Sequence, residues 1–332
     1  MGIKTDIARA FVTKYQDEIL NGTISKKHLA RIIVQQHPSV YKDIEEARSV
    51  VRSLTAAGGG SGRTKPVFEF KSTQKFGLHA IPTQATTPED FVIEGPCRIL
   101  VVSDIHLPYH DPEALDIAFD YGRDCDIVLV NGDLLDFYKL SRFCQDPEAR
   151  NVAYELDQAK QFFNTVRSQM PDARILYKLG NHEDRLEKYL WTKAPDLVGL
   201  PFTSIGELVD ADDYDVEMIG TRQKIKAGRL NIIHGHEFGE AFFNPVNPAR
   251  GLFLRAKCSA LAGHHHTTSE HSDGNINGEP MGCWTVGALC HLRPAYRPFA
   301  DTKWNSGFAI VEVEEDGMFT VFNKRILNGK VH

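Results

Sequence analysis

Arg98-Ile99-Leu100-Val101-Val102-Ser103-Asp104-Ile105-His106 is the stretch on which the reading of this chain turns. An unbroken run of branched apolar residues marks a strand buried on both faces. It ends in two side chains, Asp104 and His106, of the types that can bind cations. The same order recurs four times. Ile127–Asn131 runs into Gly132-Asp133, and Ile175–Leu179 into Gly180-Asn181-His182-Glu183. Leu230–Ile233 leads to His234-Gly235-His236, and the short apolar segment Ser259–Gly263 to His264-His265-His266. Amphipathic stretches at Pro112–Tyr121, Asn151–Gln169 and Asp184–Lys193 separate or follow the first three runs. This βαβαβ rhythm predicts parallel strands covered by helices. In such sheets ligands collect at the carboxyl ends of the strands.

Beyond about residue 214 the texture changes. Strand-like runs at Val216–Met218, Gln223–Lys226, Leu230–Ile233, Trp284–Ala288, Ala309–Val313 and Thr320–Asn323 dominate, with one helix near Pro248–Ser259. They are expected to form a second, mixed sheet packed on the first, with Trp284, Trp304 and the Cys283/Cys290 region packing it.

Working toward the N-terminus, residues 1–55 read as a small three-helix domain. Ile7, Phe11 and Tyr15 share one helix face, Asn21-Gly22 breaks that helix, and Ser25 can cap the next, Lys26–Gln36. A third helix is expected over Ser39–Leu54. The pattern is compatible with a helix-turn-helix and equally with a docking or dimerisation bundle. Residues 56–96 read as a flexible linker, Gly/Ser-rich over 56–62, followed by an extended lead-in with one strand at Val67–Phe70. The third region spans 97–328.

Composition narrows the class. Apolar content of 42% and charged content of 25% over 332 residues are those of a soluble globular protein. The N-terminus carries Lys4, Asp6, Arg9 and Lys14, so it has no apolar signal core, and no run approaches membrane-spanning length. Six cysteines show no C-x-x-C pair, as for free thiols in a reducing compartment. A cytoplasmic location without a membrane partner is therefore expected. Residues 1–75 hold 13 Lys+Arg against 7 Asp+Glu, a net +6 in a chain of net −6, which leaves −12 on the remainder. A basic appendage can contact nucleic acid through its phosphates, although a solvated helical surface would look the same.

Taken singly, an Asp-x-His, a Gly-Asp turn or a triple histidine is commonplace. Five such pieces, each after a strand, point to two divalent cations side by side and to hydrolysis of phosphate esters. In this order Asp104-Ile105-His106, Gly132-Asp133-Leu134-Leu135-Asp136, Gly180-Asn181-His182-Glu183, His234 and Gly263-His264-His265-His266 resemble the signature of the calcineurin-like metallophosphoesterase superfamily. The resemblance spans roughly residues 97–325. Asn131–Tyr138, Arg185–Trp191 and Trp304–Phe308 further resemble its phage- and prophage-associated branch.

The resemblance implies an α/β fold, a four-layer α/β/β/α sandwich of two mixed β-sheets flanked by helices. It implies one cation held by Asp104, His106, Asp133 and His266, and a second by Asp133, Asn181, His234 and His264. Asp133 would bridge them, and a water or hydroxide between the cations would be the nucleophile. Manganese is the expected metal, with iron or zinc as alternatives. His182 is expected to face the substrate as general acid or charge stabiliser, with Asp104 orienting it. Either His234 or His236 could be the ligand of its loop, and His265 has no assigned role. Arg185 can contact phosphate or pair with Glu183 or Glu187 on the helix surface. The favoured substrate is a phosphodiester of a nucleic acid or nucleotide. A phosphomonoesterase and a non-catalytic phosphate-binding module are the alternatives, and sequence leaves the oligomeric state open.

Overall fold

The computed structural model describes residues 2–55, 82–141, 151–200, 202–239, 246–293 and 301–332. The chain divides into two compact units, Met1–Thr86 and Thr87–His332. The expected linker at 56–62 and the strand at Val67–Phe70 lie outside the described residues.

The first unit contains α1 (Ile3–Lys14), α2 (Gln16–Leu20), α3 (Lys26–Gln36) and α4 (Ile44–Thr55). The single helix expected before Asn21 forms as two pieces meeting at Tyr15. Ser25 caps α3 by accepting from the His28 amide at 3.1 Å. Ala8, Val12, Leu29, Ile33, Ala47, Val51 and Leu54 are buried together, giving this unit a core of its own.

The second unit begins with β1 (Phe91–Ile93), β2 (Cys97–Val102), α5 (Pro112–Tyr121), β3 (Ile127–Asn131), α6 (Val152–Gln169), β4 (Arg174–Lys178) and α7 (Asp184–Lys193). It continues with α8 (Ile205–Leu208), β5 (Val216–Ile219), β6 (Ile225–Ala227), β7 (Leu230–Ile233), α9 (Pro248–Ala256) and β8 (Ala260–Ala262). It ends with β9 (Ser269–Gly274), β10 (Pro280–Thr285), β11 (Ser306–Val313), β12 (Phe319–Leu327) and β13 (Lys330–Val331).

The strands form two mixed sheets, ordered β13-β12-β11-β2-β3-β4-β5 and β1-β6-β7-β8-β10-β9. In the first, β2 to β5 are parallel and β11 to β13 antiparallel. Alternation along β2 decides the layering. Ile99 and Val101 face the second sheet, where they meet Leu230, Ile232 and Leu261. Leu100 and Val102 face the helices, packing with Ala118, Ala159 and Phe163. On the far side, Leu252 of α9 covers Ile233, Ala260 and Cys283. The result is the expected α/β/β/α sandwich.

The partition of strands differs from expectation. Val216–Ile219, Ser306–Val313 and Phe319–Leu327 belong to the first sheet, because β5 pairs with β4 and β11 with β2. β11 is buried along nearly its whole length, as an interior strand must be. The lead-in also contributes β1, whose parallel pairing with β6 makes it an edge of the second sheet.

Candidate metal centre

The carboxyl ends of β2, β3 and β4 in one sheet meet those of β7 and β8 in the other, and the candidate ligands stand along that seam. Asp104, His106, Asp133, His234 and His266 are all buried. Asp104, His106, Asp133, His264 and His266 have φ of +56°, +51°, +53°, +68° and +53°. Left-handed backbone at non-glycine residues costs of order 1 kcal/mol each. Five instances at one seam mean that the surrounding hydrogen bonds fix these loops.

The glycines of the motifs have steric reasons. A Cβ on Gly132 would lie 2.3 Å from His234 Nδ1, and one on Gly263 2.0 Å from Ser103 Oγ. The loops therefore approach closer than any side chain allows.

Two clusters share Asp133. In the first, His106 Nε2 lies 3.2 Å from His266 Nε2, and His266 Nε2 lies 3.0 Å from Asp104 Oδ1. Asp133 Oδ2 is 4.0 Å from His106 Nε2. In the second, the same oxygen is 3.3 Å from His234 Nε2, which lies 3.2 Å from Asn181 Oδ1. Ligand atoms of Asp133, His234 and His264 fall within 4.8 Å of one another. His234, not His236, faces Asp133, and neither His236 nor His265 joins a cluster among the described residues.

The charges are consistent with a cation site. Burial would raise the carboxyls of Asp104 and Asp133, but neighbouring imidazoles override it and hold both below the usual range. Burial opposes protonation of His234, yet Asp133 holds its imidazole up to about 10. Burial and the neighbouring His234 push His264 down to about 3, so it stays a neutral donor. Asp104 Oδ1 is buried without a well-formed hydrogen bond. A buried anionic oxygen faced by imidazole nitrogens fits a cation.

The supporting residues were less visible in sequence. Glu183 accepts from the amides of Asp133, Leu135 and Gly180 at 3.0, 3.0 and 2.7 Å, tying two ligand loops together. Tyr177 Oη donates to it at 2.8 Å. His234 Nδ1 donates to Asn131 O at 2.8 Å, which turns Nε2 toward Asp133 and Asn181. Asp136 lies 3.0 Å from His106 Nδ1 and 3.2 Å from His182 Nδ1. Trp304 packs edge-on against His266, with centroids 4.2 Å apart. Cys290 also sits beside His106 and His266, its thiol raised by burial.

Two expectations are corrected here. Asp104 does not orient His182: its oxygens face Ser103, the His264 amide and His266. His182 Nδ1 instead donates to the carbonyl of Asp136 at 2.9 Å. The surface pair of Arg185 with Glu183 or Glu187 is also absent from the described contacts. Arg185 donates to Asp136 O at 2.7 Å and to His182 Nε2 at 2.8 Å, which places its guanidinium at the centre.

A family model described as calcineurin-like phosphoesterase matches residues 97–279. The gene 54 protein of Mycobacterium phage L5 is 29% identical over 229 residues, 65% of this chain and 89% of that protein. Its counterpart in Mycobacterium phage D29 is 28% identical over the same length and the same shares. Among solved structures, a predicted phosphoesterase of Streptococcus pneumoniae TIGR4 matches at 15% identity and TM-score 0.26, over 68% of this chain and 97% of that one. A putative diadenosine tetraphosphatase matches at 13% identity and TM-score 0.33, over 71% and 98%. No described helix is long and apolar enough to cross a membrane.

Proposed function

This chain belongs to the calcineurin-like phosphoesterase family and is a metal-dependent hydrolase of phosphate esters; we propose that it works with two cations and cleaves phosphodiesters of nucleic acids or nucleotides. The observation that carries the two-cation reading is the sharing of Asp133 Oδ2 between the His106 and His234 clusters. Asp104, His106, Asp133 and His266 would hold one cation, and Asp133, Asn181, His234 and His264 the other. A carboxylate suits the shared position because it offers two anionic oxygens. Ligation by Asp, Asn and His favours manganese, with iron or zinc also accommodated. When bound, the cations supply charge neutralisation for the phosphoryl group and activation of water near neutral pH.

His182 supplies the proton. Its Nδ1 is committed to a carbonyl, which only accepts, so Nε2 is the atom directed at the centre, 3.8 Å from Asp133 Oδ2. In this arrangement Nε2 accepts from Arg185. Protonating Nε2 ends that bond and sets the guanidinium free for the phosphoryl oxygens, whose geometry it fits. His182 then protonates the leaving oxygen.

The preference for diesters in nucleic acid draws on the first unit as well. α3 carries Lys26, Lys27 and Arg31 outside its buried positions Leu29, Ala30 and Ile33, a basic face suited to phosphate contacts. The manganese-loaded protein should hydrolyse bis(p-nitrophenyl) phosphate faster than p-nitrophenyl phosphate. A strong preference for the monoester would reject the diesterase reading and leave a phosphomonoesterase.

A further inference from the structure

Lys178, the last residue of β4, is fully buried at the end of an apolar strand. Such a charge is tolerated only where every donor is met. Its ammonium donates to Thr221 O at 3.1 Å and Gln223 O at 3.0 Å, in the turn between β5 and β6. It also lies 3.0 Å from Glu237 Oε1. That same Glu237 oxygen accepts from the His234 amide at 3.0 Å, and the other accepts from the Gly235 amide at 2.7 Å. Burial opposes ionisation of Glu237, but Lys178 holds its carboxyl down at about 2.

The pair therefore crosses between the sheets beside the centre. Lys178 ends the strand whose next residues deliver Asn181. Glu237 grips the backbone of the loop that delivers His234. Asn181 Oδ1 and His234 Nε2 lie 3.2 Å apart, although they belong to different sheets. For stability alone, apolar packing would serve as well as a buried ion pair. A directional pair does what apolar packing cannot: it fixes the height of one loop against the end of the opposite strand. Asp104, in the other half of the centre, is anchored differently, accepting from Ser103 Oγ at 2.7 Å and from the His264 amide at 2.8 Å.

We propose that the buried Lys178–Glu237 pair is a positioning device for one half of the centre, setting the affinity for the cation held by Asn181 and His234 without touching it. This rests on the two-cation reading above. Loss of outer partners of metal ligands weakens affinity about 10- to 100-fold. The effect should fall on one cation and spare the other.

The test is titration of the metal-free full chain with Mn²⁺, followed by calorimetry and by electron paramagnetic resonance. Wild type should take up two ions and give the exchange-coupled spectrum of a manganese pair. Lys178→Met/Glu237→Gln leaves no charge unpaired. It should keep the first ion's affinity, weaken the second about 10- to 100-fold, and show a six-line mononuclear spectrum at one equivalent. Glu237→Asp, which keeps the charge but shortens its reach, should weaken the second ion alone and by less; it serves if the double variant does not fold. Wild-type affinity for both ions, or equal weakening of both, in a folded variant would overturn the proposal. A wild-type chain that binds a single ion would instead overturn the two-cation reading beneath it.

Discussion

His182 Nδ1 donates to the carbonyl oxygen of Asp136 at 2.9 Å, which turns the other ring nitrogen toward the shared carboxylate of Asp133. The imidazole is thus held by backbone, and it lies outside the two proposed ligand sets. His182→Ala should leave both cations bound while lowering turnover about 10²- to 10⁴-fold, the scale of acid–base groups. Metal analysis of the purified variant checks this, and an emptied centre would mean that His182 is a ligand.

Arg185 divides its guanidinium between Asp136 O and His182 Nε2. If it turns to the phosphoryl group when substrate arrives, Arg185→Ala should cost about 10- to 100-fold in kcat/KM, a typical charged hydrogen bond. Arg185→Lys should recover little, because an ammonium lacks the planar fork. Steady-state kinetics of both variants on one diester provide the comparison. Full recovery by lysine would reduce the role to simple charge.

Glu155 is 1% exposed and receives the amide of Phe137. Burial, and next the charge of Asp136, push its carboxyl up from 4.5 to about 8. The folded protein therefore keeps this proton between pH 4.5 and 8 where the unfolded chain has lost it. Stability contributed by that proton is present at low pH and disappears as pH rises through about 8. The shift sets a ceiling of about 5 kcal/mol. Denaturant unfolding with a chelator present should show wild type losing stability over this range relative to Glu155→Gln. Parallel curves would show that Glu155 ionises normally.

The basic first unit has its own core, so residues 1–62 should fold alone. This fragment should retard DNA in gels at low salt and release it steeply as salt rises, because the contacts are to phosphate. Absence of a shift at low salt would assign the unit another task.

The candidate ligands were legible because each group of them follows a strand and needs only local spacing to be recognised. Pairing was less so. Ala309–Val313 looks like any buried strand, and nothing in its residues states that it lies beside β2 rather than in the second sheet. The partner of His182 was likewise hidden. Asp104 and Asp136 both stand in recognisable motifs, and the choice between them depends on left-handed turns at Asp133 and Phe137. Lys178 and Glu237 left no pattern at all, since a strand-terminal lysine and a loop glutamate become partners only when the two sheets stack.

The proposed function turns on Asp133 belonging to both cation sites. The most direct measurement is manganese stoichiometry and diester hydrolysis by Asp133→Asn beside wild type. Two ions per wild-type chain, weakened binding of both in the variant, and turnover lower by at least about 10³-fold are expected when the charge that gathers both cations is removed. A variant that loses one ion and holds the other with unchanged affinity would contradict that expectation.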